Sequence, residues 1–159
     1  MPSYTGFDNC SPKQLLSHMK KKLHSECLQK GDEVWIVIDR DSWEENQLDA
    51  LYKWSQEKEC YGFALSNPSF ELWLLLHFEE GNGVGSKREC LQRLKKHLPG
   101  FDKARYDLNR FKDKVKDAVE NAEQKDRPPC KKWPDRVGST VYRLVKKLIT
   151  ESPNRTNPR

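Results

Sequence analysis

Residues 33–39, EVWIVID, form a continuous β-branched and aromatic run, and residues 60–66, CYGFALS, read as a second strand ending at Ser66. The first pattern predicts a strand covered on both faces. Between them Leu48, Leu51, Tyr52 and Trp54 offer the packing face of a helix that Ser42 can cap and that extends to about Glu57. Strand, helix and strand at this spacing predict a right-handed βαβ crossover with parallel strands. That unit confines the chain to an α/β architecture. Two strands are few for a stable covered sheet, so the chain is expected either to borrow neighbouring strands or to lack an N-terminal portion.

The flanking segments read as helical. Upstream, Ser11 before Pro12 predicts an N-cap, with Leu15, Leu16, Met19, Leu23 and Cys27 as the apolar stripe and Gly31 as the stop. Downstream, SNPSFELWLLLHFEE (66–80) predicts a helix entered through Asn67 and Pro68, apolar nearly all round and therefore the most buried. SKRECLQRLKKHL follows, with Ser86 as cap and Glu89 at the capping-box position. A long charge-laced helix is expected over 104–124, a loop at DRPPCKKWP, and a last helix in STVYRLVKKLI with Val141, Leu144, Val145 and Leu148 facing the core. The expected organisation is an α/β core over 1–80, a mostly helical extension over 81–152 packing on it, and a disordered tail over 153–159.

Composition limits the function classes. Apolar residues make up 35% and charged residues 33%, so the core is small and the surface densely ionic. The five cysteines lie far apart with no CxxC pair, which argues against a metal-thiolate site or a disulfide framework and for reduced thiols in a cytoplasmic protein. No apolar run approaches the ~18 residues that a membrane span needs. A net charge of +5 is a mild basic bias, equally suited to a solvated surface and to a phosphate-binding face.

The first strand delivers an acidic pair, Asp39 and Asp41, one residue apart at its carboxyl end. If the strand persists through them, both carboxylates project to one face. In open parallel sheets ligands gather at that edge, and paired carboxylates suit a hard, oxygen-liganded cation such as Mg²⁺. The competing reading is a strand-to-helix turn in which Asp41 or Ser42 only caps the next helix and Arg40 pairs with a carboxylate. Ser66, Asn67 and Glu71 are expected beside the acid pair on the same edge, with Glu71 conspicuous inside an apolar helix. His77 reads as a core or boundary histidine. The basic residues collect late and include Lys95, Lys96, Lys131, Lys132, Arg143 and Lys146, with Trp133 and Tyr142 among them. Such a surface suits contact with a DNA or RNA backbone.

Three blocks, VWIVIDRDSW, ALSNPSFELWLLLHFE and GSTVYRLVKKL, together resemble the RloB-like family over roughly 31–149. The resemblance implies a Toprim-type, Rossmann-like parallel sheet of which about two strands are retained, with a mostly helical C-terminal half, and a place in bacterial phage defence (abortive infection). It implies that Asp39 and Asp41 hold Mg²⁺, with Mn²⁺ as the alternative. Glu71 falls in the strand-to-helix block formed by Ser66, Asn67 and Pro68. It further implies an ATPase partner from the same defence system. The chain itself has no GxxxxGK[ST] loop. One departure stands out. Toprim domains carry a glutamate at the end of their first strand, in a segment resembling CEGxxTEP, which is not found here; the chain therefore reads as N-terminally truncated. Two functions are expected: a metal-dependent nuclease acting on phosphodiesters, or a catalytically degenerate module that binds nucleic acid or a partner protein.

Overall fold

The computed structural model describes residues 10–150. The expected irregular start and the expected tail at 153–159 lie outside the described residues. In chain order the elements are α1 (Pro12–Ser25), β1 (Val34–Asp39), α2 (Glu45–Ser55), β2 (Tyr61–Asn67), α3 (Phe70–Leu75), α4 (Lys87–His97), α5 (Asn109–Lys112), α6 (Val115–Lys125), β3 (Gly138–Ser139) and α7 (Val141–Thr150). The expected α/β fold with a partial Rossmann-like βαβ unit is present. Strand order is β1-β2-β3. The Val34 N–H donates to the Cys60 carbonyl and the Arg40 N–H to the Ser66 carbonyl, each at 2.8 Å, so the β1–β2 ladder advances in step and is parallel.

The sheet has a third strand that was not expected. Gly138 and Ser139, read from sequence as the approach to the last helix, pair antiparallel with Asn67 and Ser66. A two-residue strand has no periodicity to detect, and side chains fasten it. The Ser66 and Ser139 hydroxyls bond at 2.7 Å, and the Leu65 N–H donates to Thr140 Oγ1 at 3.0 Å while the Thr140 N–H donates to the Leu65 carbonyl at 3.0 Å. With β2 in the middle, residues Gly62 to Ser66 are all buried. Among the described residues β1 is an edge strand, and Val37 is 39% exposed, so β1 is not covered on both faces as expected.

The described residues cluster into two compact units, one within 10–36 and 42–63 and the other within 37–41 and 64–150. In the first, α1 packs on α2. Ser11 and Gln14 form a reciprocal capping box, with bonds of 3.3 and 2.9 Å. The helix ends at Ser25, before Cys27 and well before the expected stop at Gly31, which occupies a left-handed turn at φ +94°. Leu48, Leu51 and Trp54 form the buried face of α2, and Trp54 stacks on Tyr61 with centroids 4.6 Å apart. The α2 cap is Glu44, not Ser42: the Gln47 side chain accepts from the Glu44 N–H at 3.0 Å. Gly62 is required where it stands, because a Cβ there would fall 2.2 Å from the Trp35 ring.

In the second unit the core is built around α3, whose Leu72, Trp73, Leu74 and Leu75 are all buried. This is the most apolar helix, as expected, but it is short. Asn67 still belongs to β2, and the chain stays extended through Ser69 (φ −157°, ψ 171°) before turning into helix at Phe70. Helix α4 begins as the sequence predicts, with Ser86 accepting from the Glu89 N–H at 3.2 Å and Glu89 accepting from the Ser86 N–H at 3.1 Å. The long helix expected over 104–124 is broken into turns, α5 and α6. Asp102 accepts from the Ala104 N–H and Asp107 from the Asn109 N–H, each at 2.9 Å, and these local bonds compete with helix formation. In α7, Val141 is buried as expected, but Leu148 is 53% exposed and is not a core residue.

Candidate functional site

The carboxyl ends of β1 and β2 and the start of α3 bring a small set of polar groups together within the second unit. Asp39, the last residue of β1, accepts from the Phe70 N–H through Oδ1 at 2.9 Å. The next residue along α3 is Glu71, only 2% exposed in a core of leucines and tryptophan. Its Oε1 lies 3.3 Å from the Lys103 ammonium. Its Oε2 and the hydroxyl of Ser69 are buried and have no hydrogen-bond partner. Burying a polar oxygen without a partner costs about 1–3 kcal/mol. Such atoms are rare in native folds, and a bound ion or water is one of the things that can satisfy them.

The two carboxylates differ in charge preference. Burial pushes the Asp39 carboxyl above its usual range; Lys103 opposes that, the Glu71 charge reinforces it, and the Phe70 N–H opposes it. Burial acts in the same direction on Glu71, but the nearby Ser69 hydroxyl, the Glu71 backbone N–H and Lys103 outweigh it and hold this carboxyl low. Ser69 Oγ is close enough to favour the charged form without being aligned as a hydrogen bond. Lys103 is likewise held charged: its partial burial is outweighed by Glu71, with a smaller contribution from Asp39.

The condition under which Asp39 and Asp41 would project to one face does not hold, and the chain turns at Asp41 as in the competing reading. The strand ends at Asp39, and Asp41 stands in a left-handed turn at φ 43°, exposed, with its N–H directed at the Pro68 carbonyl at 3.4 Å. Strand alternation therefore does not set its direction. Ser66 and Asn67 fasten the fold: Ser66 bonds Ser139, and Asn67 donates from Nδ2 to the Pro134 carbonyl at 3.1 Å. His77 is a core residue, with Nδ1 at 3.0 Å from the Trp73 carbonyl and its ring edge-on to Trp73 and Phe111; burial lowers its pKa.

The basic residues divide. Lys95, Lys96, Lys131 and Lys132 are exposed, Lys132 lying 5.5 Å from the Trp133 ring centroid. Arg143 is engaged internally, donating from Nη2 to Asp126 Oδ2 and to the Cys130 carbonyl, each at 2.8 Å. Lys146 pairs with Glu123 at 2.7 Å. The sequence reading missed Lys103 and Ser69. Lys103 carries no local signal, because only the tertiary fold brings the 101–108 turn to Glu71.

The model of the RloB-like protein family matches residues 4–148. The chain belongs to the RloB-like family. Comparison with curated proteins and with solved structures finds no match. In this RloB-like chain the matched stretch contains every residue of the site, from Asp39 to Lys103, and all six basic positions singled out above. Among the described residues no helix is long and apolar enough to cross a membrane.

Proposed function

We propose that this RloB-like chain is a metal-dependent nuclease domain of a phage-defence (abortive infection) system, with Asp39 and Glu71 holding Mg²⁺ or Mn²⁺. The observation that carries the reading is the pair of buried, unpartnered oxygens, Glu71 Oε2 and Ser69 Oγ, beside a second carboxylate at the carboxyl edge of a parallel sheet. These are hard oxygen donors of the kind Mg²⁺ takes, and Mg²⁺ commonly keeps several waters beside one or two carboxylates. Exposed Asp41, next to the strand end, is a further carboxylate available to a water of that shell. A bound divalent ion would neutralise developing charge at a phosphodiester and make water a better nucleophile at neutral pH. The chain's own contribution is positional. Phe70 fixes Asp39, α3 fixes Glu71 in the core, and Lys95, Lys96, Lys131 and Lys132 offer cations to a DNA or RNA backbone. An ATPase acting with this domain belongs to the same reading.

One observation favours a second reading, a module that binds nucleic acid or a partner without cleaving. Among the described residues no group of three or more His, Cys, Asp or Glu side chains is arranged to hold a metal. Calorimetric titration with Mg²⁺ and Mn²⁺ decides between the two. The nuclease reading expects binding that is lost in the Asp39→Asn/Glu71→Gln double variant and weakened in Asp41→Asn, together with metal-dependent cleavage of DNA or RNA. A folded wild-type chain that binds neither ion, yet retains salt-sensitive binding to an oligonucleotide, overturns it in favour of the binding module.

A further inference from the structure

We infer that Lys103 is the resident counter-ion of the acid site, a tethered cation that gives up Glu71 to an incoming divalent ion. The inference rests on the metal reading above and adds a competitor within the chain. Three observations carry it. The Lys103 ammonium lies 3.3 Å from Glu71 Oε1, and the Lys103 side chain is 59% exposed whereas that of Glu71 is 3% exposed. One partner of the pair is therefore fixed in the core while the other already faces solvent over more than half of its side chain. The turn that carries Lys103 is held independently of this ion pair. Asp102 accepts from the Ala104 N–H at 2.9 Å, its carbonyl accepts from the Arg105 N–H at 3.0 Å, and Phe101 lies against Tyr106 with centroids 5.4 Å apart. The long lysine stem can swing while its backbone stays in place.

The third observation is the uneven use of the Glu71 carboxylate. Lys103 covers one oxygen only, and the other remains buried without a partner beside Ser69. A single ammonium approaching from the solvent side does not satisfy a carboxylate that can accept from several directions. A divalent ion held by Asp39 and Glu71 would compensate the carboxylate charge that Lys103 meets at one oxygen only, and it would repel the ammonium at the same time. Lys103 thus keeps a buried charge tolerable when no metal is bound, at the cost of weakening metal affinity.

The test is Mn²⁺ calorimetry at one neutral pH on the full chain, comparing wild type, Lys103→Met, Lys103→Arg and Asp39→Asn/Glu71→Gln, with thermal unfolding of each in EDTA and in Mn²⁺. Lys103→Met is expected to bind Mn²⁺ roughly fivefold more tightly, the factor that about 1 kcal/mol of a partly exposed ion pair represents. It should melt below wild type in EDTA and gain more from Mn²⁺ than wild type does. Lys103→Arg, which keeps the charge, should bind like wild type or more weakly. If Lys103→Met binds with wild-type or lower affinity while the double acid variant does not bind, the counter-ion role is overturned and the metal site stands. If wild type and Lys103→Met both fail to bind, or the double acid variant binds as wild type does, the metal reading falls and this inference with it.

Discussion

Two buried carboxylates in the same unit have opposite surroundings. Asp126 is surrounded by donors. Its Oδ1 accepts from the Cys130 N–H at 2.9 Å, and its Oδ2 accepts from the Tyr142 hydroxyl and from Arg143, each at 2.8 Å. Glu71 has one lysine at 3.3 Å on one oxygen and no hydrogen bond on the other, with the Ser69 hydroxyl nearby. Both are held below the usual carboxylate range, but Asp126 is held there against burial chiefly by Cys130, Tyr142 and Arg143. A buried charge whose lone pairs are all met by the protein ties elements together and has no capacity left for a ligand. A buried charge left half met is a place where the fold has kept capacity. The Asp126 cluster links α6 to α7 through the 126–130 turn, whereas the Glu71 cluster stands at the start of α3 beside Asp39, the last residue of β1.

The sharpest way to break this contrast is Asp126→Ala. It strands the Tyr142 hydroxyl and a half-buried guanidinium, and removing one partner from such a network costs about 3 kcal/mol. Urea unfolding should show that loss, and a change under ~0.5 kcal/mol would mean that the network is not structural. The same group sets an acid limb. Because its folded pKa lies below the unfolded value, its stabilisation is complete above the ordinary aspartate range and disappears as pH falls through the lowered value. Stability measured against pH should fall in strong acid for wild type and change less there for the variant.

Glu71→Gln should cost less, about 1–2 kcal/mol at neutral pH, because the shape is kept and only the Lys103 pairing and the Ser69 dipole are lost. Chemical denaturation measures it, and a more stable variant would contradict the charged state assigned here. Asp39→Asn should go the other way. Burial raises the Asp39 pKa, so its folded form favours the proton, and the contribution is lost as pH rises through the raised value. At neutral pH asparagine removes that cost while still accepting from Phe70. A gain of about 0.5–1 kcal/mol is expected, as for other substitutions that relieve a functional site. Lys146→Ala should have the smallest effect. Its pair with Glu123 is solvent-exposed, and a loss of less than ~0.5 kcal/mol is expected from the same melts.

The β1–α2–β2 unit and the capped starts of α1 and α4 were legible because their signals are local: a β-branched run in β1, apolar spacing, Ser before Pro at α1, and Ser followed three residues later by Glu at α4. The site was legible in part. Asp39 and Glu71 stood out as acids at strand ends or within apolar runs, but their shared partner Lys103 did not, since a lysine in a charged stretch resembles many others. For Asp41 two readings stayed open, a continued strand or a turn, and the reason is local. Whether a strand continues for two more residues depends on what its edge packs against, and here the chain turns left-handed at Asp41.

The sequence by itself determined the parallel βαβ unit, the buried character of α3 and the acidic end of β1, because each depends on the polarity of residues close together in the chain. Tertiary structure alone decided that Gly138–Ser139 would become a third strand, that Arg143 would serve Asp126, and that Lys103 would sit on Glu71. Those pairings span up to 73 residues of chain and rest on single hydrogen bonds and ion pairs. Such contacts exist only once the core has brought their partners within reach, and no local pattern encodes them.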